Sequence, residues 1–335
     1  MSPSRRPAAP LLVTAVVAFA AACAGPSPGP SGATATAGTS APPSTPASTA
    51  STASTASPAT GERYPVLIVR AEDAGTTRWY VTAPDDPARR RALIVSPEVV
   101  AVGPAGADGA LVLGSPTQLL FATLGGGAAI GELTVVRAID LRGRGVAPGS
   151  PACVGPNGRV AMADLETLAL TVVSPTRAAV AVAVPDALGE CAWLDDGRLL
   201  VDREGDRLVA VDPATGLGRP VDGGGGRHPC TGGGLLSLVD RSGRARVVVR
   251  AGELGDAAEP ALGPILFVVG TAVNELISRA TLSPDGGWLA VEVTVDPESA
   301  AVRWLRLYRV GAAGAEFVGA IRLDAGEQVT LMPAP

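Results

Sequence analysis

One short pattern constrains this chain more than any other: a tight glycine turn between two apolar runs, repeated along most of the sequence. Its clearest copy is Ser283-Pro284-Asp285-Gly286-Gly287-Trp288-Leu289-Ala290-Val291. Proline presets φ at the first turn position, aspartate bonds its own backbone, and glycine accepts positive φ. The turn returns as Gly155-Pro156-Asn157-Gly158-Arg159-Val160 and Asp195-Asp196-Gly197-Arg198-Leu199-Leu200. More worn copies are Gly106-Ala107-Asp108-Gly109-Ala110-Leu111 and Gly232-Gly233-Gly234-Leu235-Leu236. From Gly109 through Gly158, Gly197 and Gly233 to Gly286 the spacings are 49, 39, 36 and 53 residues. Their mean of about 44 is the length of one four-stranded propeller blade.

The segments between these turns read as short strands. Val66-Leu67-Ile68-Val69, Arg78-Trp79-Tyr80-Val81, Ala110-Leu111-Val112-Leu113 and Leu119-Leu120-Phe121-Ala122 are β-branched or aromatic runs bounded by Gly, Pro, Asp or Asn. Helical periodicity is scarce after residue 63, so the fold class is all-β. One blade can be followed strand by strand. Cys191 to Leu194 enters, Arg198 to Asp202 runs out, Leu208 to Val211 returns, and Arg219 to Val221 forms the edge. At about 44 residues per blade, residues 63–335 hold a six-bladed β-propeller. Seven short blades or a β-sandwich pair are the alternatives. The first blade, Tyr64 to Leu93, carries the fewest turn signals. The wide spacings place irregular insertions at Gly125 to Arg144 and Gly252 to Arg279, and Pro260 to Val273 reads as a buried strand pair.

On these turns the chain resembles the TolB-type and tryptophan-aspartate-repeat-like β-propellers over residues 95–325. It departs from TolB in having no α/β domain ahead of the blades. The resemblance implies a fold and says almost nothing of function.

The N-terminus carries an address. Arg5 and Arg6 form a positive n-region, Leu11 to Phe19 an apolar run too short to span comfortably, and Ala20-Ala21-Ala22 a small-residue run before Cys23. Ala-Ala-Cys resembles the lipobox of bacterial lipoproteins, although Ala20 stands where that family usually has leucine. The resemblance implies a signal peptide over 1–22, removed to leave Cys23 carrying acyl chains such as palmitate. Residues 23–62 then form a tether. From Ala24 to Gly61 no side chain is charged or aromatic, and Ser, Thr, Pro, Ala and Gly fill the segment. Such a composition cannot bury enough surface to offset its ordering entropy. As a random coil it would hold the domain roughly 35 Å from the membrane.

Lysine is absent and asparagine occurs only as Asn157 and Asn274, a bias that resembles secreted actinobacterial proteins. Without Arg5 and Arg6, 25 basic residues face 32 acidic ones, a net charge of −7. That balance argues against nucleic acid as a partner. Arg89-Arg90-Arg91 and Arg142-Arg144 read as solvated loop charges.

The residues offer little catalytic chemistry. His228 is the only histidine and reads as an incidental loop residue, and Gly223 to Gly226 reads as an inter-blade loop. Asp164, Glu190, Asp202, Asp285 and Glu292 lie near entering strands, where turn and surface roles explain them. No catalytic residue, metal site or cofactor is assigned on this basis. Cys153, Cys191 and Cys230 each precede a landmark glycine by three to six residues, which places them on inner strands of consecutive blades. Cα atoms must approach within about 7 Å to bond. Cys191, in the middle blade, is therefore the expected disulfide member, with Cys153 or Cys230 as its partner.

The expectation is a monomeric binding or scaffold module, lipid-anchored on the extracytoplasmic face and presented to a cell-envelope partner. An extracytoplasmic hydrolase or dehydrogenase working in the central channel is the alternative. Cys23→Ala should release the domain to the medium or leave an unprocessed precursor, because no other segment would hold it at the bilayer. Fractionation with intact-mass analysis checks this; a wild-type N-terminus without acyl mass overturns the anchor.

Overall fold

The computed structural model describes residues 64–332 except 74–75, 94, 96–98, 100, 105–109, 116, 126–131, 143, 145, 147–148, 156–157, 165–166, 185, 206, 242–244, 256–258, 273 and 296–301. Cys23, the signal and tether segments, and Gly109 lie outside the described residues.

Apolar strands punctuated by glycine turns fold into antiparallel sheets of four. Blade 1 contains β1 (Val66–Asp73), β2 (Thr76–Ala83) and β3 (Asp86–Ala92). Blade 2 is β4 (Ala101–Pro104), β5 (Ala110–Gly114), β6 (Gln118–Leu124) and β7 (Leu133–Asp140). Blade 3 is β8 (Gly149–Val154), β9 (Val160–Asp164), β10 (Leu170–Val173) and β11 (Val180–Ala181). Blade 4 is β12 (Ala187–Trp193), β13 (Leu199–Arg203), β14 (Arg207–Val211) and β15 (Gly218–Gly225). Blade 5 is β16 (Arg227–Gly232), β17 (Leu235–Asp240), β18 (Arg246–Ala251) and β19 (Ile265–Gly270). Blade 6 is β20 (Glu275–Leu282), β21 (Trp288–Val295), β22 (Val302–Gly311) and β23 (Gly314–Leu323). The last strand, β24 (Gln328–Met332), returns to blade 1 and pairs antiparallel with β1, Val66 opposite Met332 and Arg70 opposite Gln328. The fold is a six-bladed propeller.

The inner strands β4, β8, β12, β16, β20 and β24 touch in that cyclic order, and β24 meets β4 again. Gly158, Gly197, Gly233 and Gly286 all sit at positive φ between an inner strand and its neighbour, the position the repeat predicts. Six apolar clusters fill the six gaps between blades. Val66, Ile68 and Trp79 meet Leu111 and Leu113 between blades 1 and 2. Phe121 and Ile139 meet Met162 between blades 2 and 3. Leu170 and Val172 meet Leu199 and Val201 between blades 3 and 4. Leu200 and Leu208 meet Leu236 and Leu238 between blades 4 and 5. Val247 and Val249 meet Leu289 and Val291 between blades 5 and 6. Leu305 and Leu307 meet Leu67 and Val69 between blades 6 and 1. The second strands β5, β9, β13, β17 and β21 bury both faces, which explains their nearly continuous apolar runs.

Four readings of the sequence are corrected. Residues 125–144 and 252–279 are not insertions, because they contain β7, β19 and the start of β20. Residues 260–273 hold one outer strand, β19, rather than a buried pair; Ile265 and Leu266 are half exposed on it. Gly223 to Gly225 belong to β15, and only Gly226 links it to β16. Arg89 to Arg91 lie on β3, where Arg90 pairs with the buried Glu327. Arg142 does sit exposed in a turn, paired with Asp140.

The inner ring is tightly packed where blades 3 and 4 meet. A Cβ on Gly155 would lie 2.3 Å from the Trp193 ring, and Trp193 Nε1 donates to the Cys153 carbonyl at 3.4 Å. Gly155→Ala should cost about 1–3 kcal/mol through overpacking. Gly319→Ala, where a Cβ meets nothing within 4 Å, should be nearly neutral. Urea unfolding of both variants checks the contrast; equal stabilities would contradict this packing.

Candidate functional site

The ring of inner strands encloses a cavity of about 540 Å³. The inner strands all run the same way around the axis, so the beginnings of these strands share one mouth. Glu190 stands on β12, His228 on β16, Arg279 on β20 and Gln328 on β24, and Arg70 lies on β1 opposite Gln328. All five line the cavity, together with Glu292 and Arg303. Blades 4, 5, 6 and 1 therefore supply a charged rim. Val102, Ala152 and Val154, from blades 2 and 3, supply an apolar wall.

His228 is the most constrained residue of this mouth. It sits at a register shift in β16 with φ of 54°, a left-handed conformation rare for a side-chain-bearing residue. Its backbone N–H donates to Asp202 Oδ2 at 3.2 Å. Its Nδ1 meets the Glu190 carboxylate, and Arg241 Nη2 lies 3.4 Å from Nε2. A guanidinium can only donate, so toward Arg241 the Nε2 atom can only accept, while Nδ1 faces the Glu190 carboxylate. Arg241 also donates to the Ile277 carbonyl at 3.3 Å, which ties blade 5 to blade 6.

Behind His228, Asp202 is fully buried and its Oδ1 has no hydrogen-bond partner. Burial pushes this carboxyl up to about 6, against the lowering effect of the His228 N–H, and the neighbouring Glu190 charge adds to the rise. On the next blades Glu292 accepts from Arg303 Nε at 3.0 Å, and Arg303 Nη2 donates to the Glu327 carbonyl at 2.9 Å. Asp164 and Asp285 are turn residues. Asp164 accepts from the Thr167 N–H at 2.7 Å and Asp285 from the Gly287 N–H at 3.2 Å.

The cysteines divide by the blade face they occupy. Cys153 and Cys191 form a disulfide with Cα atoms 5.8 Å apart. Cys230 is free. Cys191 and Cys230 each stand two residues before the end of their strands. Cys191 nevertheless packs between blades 3 and 4, while Cys230 packs between blades 5 and 6. The Leu282 N–H donates to Cys230 Sγ at 3.3 Å, and burial raises its thiol above the ordinary value. Among the described residues no three His, Cys, Asp or Glu side chains gather so as to hold a metal ion.

Of the residues singled out in the sequence, Glu190, Glu292, Cys153, Cys191, Cys230 and His228 reach the cavity wall. His228 is on an inner strand and not in a loop. The rim arginines Arg70, Arg279 and Arg303 were not foreseen. A usable signal existed for one of them, because Glu190 and Arg279 each lie seven residues before a landmark glycine. Polar residues at that offset in an otherwise apolar repeat mark the cavity.

No family model matches the chain, and no curated protein matches it in sequence. Solved structures do match. The β-propeller domain of Swd1 from Myceliophteria thermophila is 13% identical with a TM-score of 0.46, covering 82% of this chain and 94% of that one. A functionally unknown protein from Desulfotomaculum acetoxidans is 15% identical with a TM-score of 0.44, covering 76% and 80%. PorZ, described as an essential bacterial surface component of the type-IX secretion system of Porphyromonas gingivalis, is 15% identical with a TM-score of 0.38, covering 79% and 38%. Likeness at this level transfers neither an activity nor a partner. Strand order, closure and cavity define the class: a six-bladed β-propeller with a charged mouth on its central cavity.

Asp202 makes stability depend on pH in a stated direction. Its folded value of about 6 lies above the ordinary 3.8, so its contribution is fully present below about pH 4 and is lost as pH rises through about 6. Asp202→Asn should therefore gain melting temperature relative to wild type at pH 7.5 and lose that gain by pH 4.5. Thermal melts at the two values check it; an equal difference at both would assign the titration elsewhere.

Proposed function

We propose that this chain is a lipid-anchored, extracytoplasmic binding protein whose working surface is the charged mouth of the propeller cavity. One observation carries the reading. Four blades converge Arg70, Glu190, His228 and Arg279 on one rim, opposite an apolar wall, around about 540 Å³. A concave, partly apolar space with a few convergent polar groups is the ordinary form of a ligand site. The short apolar run before Cys23 and the uncharged tether that follows it support display outside the cytoplasm.

The state of the candidate chemical groups favours binding over the hydrolase or dehydrogenase alternative. His228 Nδ1 sits against the Glu190 carboxylate and Nε2 against Arg241. The Cys230 thiol is held protonated by burial. Glu292 is already neutralised by Arg303. Among the described residues a nucleophile and a free base do not converge here in the way covalent catalysis requires.

Photo-crosslinking in intact cells tests the reading. Benzoylphenylalanine at Ser278, on the rim strand β20, should give ultraviolet-dependent adducts with an envelope component. The same group at Val136, exposed on the outer strand β7, should give none. Adducts from Val136 alone would move the working surface to the outer edge and overturn the assignment.

A further inference from the structure

Resting on that binding reading, we propose that the mouth recognises an amphipathic ligand bearing a carboxylate, with Arg279 and Arg70 as its head-group donors. Several charges at the rim already have partners. Arg303 holds Glu292 and the Glu327 carbonyl. Glu190 meets the His228 ring. Arg70 gives one terminal nitrogen to Glu72 at 2.5 Å and the other to Gln328 at 3.4 Å, but its Nε is buried with no acceptor. Arg279 lines the cavity, and its side chain makes no hydrogen bond or ion pair among the described residues.

Arg279 and Arg70 belong to blades 6 and 1, which adjoin where β20 meets β24. An unpaired Arg279 guanidinium and the Arg70 Nε, which lacks an acceptor, thus lie in one sector of the rim. A buried N–H without an acceptor is costly, and an anionic oxygen relieves it. Guanidinium groups match the planar carboxylate with paired hydrogen bonds. Across the cavity from blade 6 lies blade 3, whose Ala152 and Val154 offer no polar side-chain group. An anionic head on Arg279 would therefore extend an apolar body toward these residues. The acidic side of the rim, Glu190 with Asp202 behind it, disfavours a second negative charge, so the ligand is a monoanion.

Isothermal titration of the full chain in detergent uses hexanoate, hexylammonium, hexyl phosphate and inorganic phosphate as probes. Hexanoate should bind saturably and hexylammonium should not. Arg279→Gln should weaken hexanoate at least about tenfold, as loss of a charge-assisted pair implies. Arg279→Lys should recover part of that loss, and Arg70→Gln should weaken binding as well. Arg279 is exposed and holds no structural partner, so its replacement leaves the fold intact. Arg142→Gln, at a distant exposed turn, should bind as wild type. Equal hexanoate binding by wild type and Arg279→Gln overturns the assignment. So does a failure to bind hexanoate, or tighter binding of hexyl phosphate or inorganic phosphate, which would make the site one for phosphate. Ser278 adducts in cells without hexanoate binding would leave the partner-binding reading standing and remove this ligand class. Hexanoate binding without such adducts would do the reverse.

Discussion

The pairing of β24 with β1 is the contact on which everything else depends. Each blade has two apolar faces, so each must be covered on both sides, and only a closed ring covers them all. Closure here joins residues more than 250 positions apart, Val66 with Met332 and Arg70 with Gln328. Met332 fills the gap between blades 1 and 2, while Val329 and Leu331 fill the gap between blades 6 and 1. One strand therefore completes two of the six interfaces. It also completes the mouth, because the turn before it carries Glu327, held by Arg90 and by Arg303 through its carbonyl. Site and closure share the same residues.

This arrangement explains which parts of the fold could be read in advance. The turn from inner strand to second strand is local, so its chemistry is written in adjacent residues, and Gly158, Gly197, Gly233 and Gly286 mark it. Blade 1 has no such turn, because its inner strand arrives from the other end of the chain. Its lack of signals followed from the closure. Outer strands were misread for a different reason. On β19 and β7 the alternation of buried and exposed residues breaks down, with Ile265, Leu266, Val135 and Val136 all half exposed or more. With one side facing solvent and no tight glycine turn ahead of it, such a strand looks like an insertion in sequence.

The site was less legible than the fold because it depends on side-chain facing. The position of Cys191 two residues before the end of its strand matches that of Cys230, yet the two point into different gaps. Only the face decides that Cys153 is the partner. A one-residue difference in register reverses every side chain of a strand. The turns that follow β12 and β16 introduce such a difference: five residues separate the paired Trp193 and Leu199, and two separate the paired Gly232 and Leu235. His228 lies at the register shift of β16, which is why a residue between Gly226-Arg227 and Pro229 read as a loop.

The costs borne at the mouth argue that it serves more than closure. A non-glycine residue at φ of 54°, a fully buried carboxyl with an unmatched oxygen and a buried guanidinium N–H without an acceptor each destabilise the fold. A ring that needed only to close could place alanine, valine or glycine here, as blades 2 and 3 do with Val102, Gly103 and Ala152. The three costly features lie on blades 5, 4 and 1, at the charged part of the cavity wall or directly behind it. The two halves of the cavity wall thus divide the work: the apolar half preserves the ring, and the charged half spends some of the stability that the ring provides.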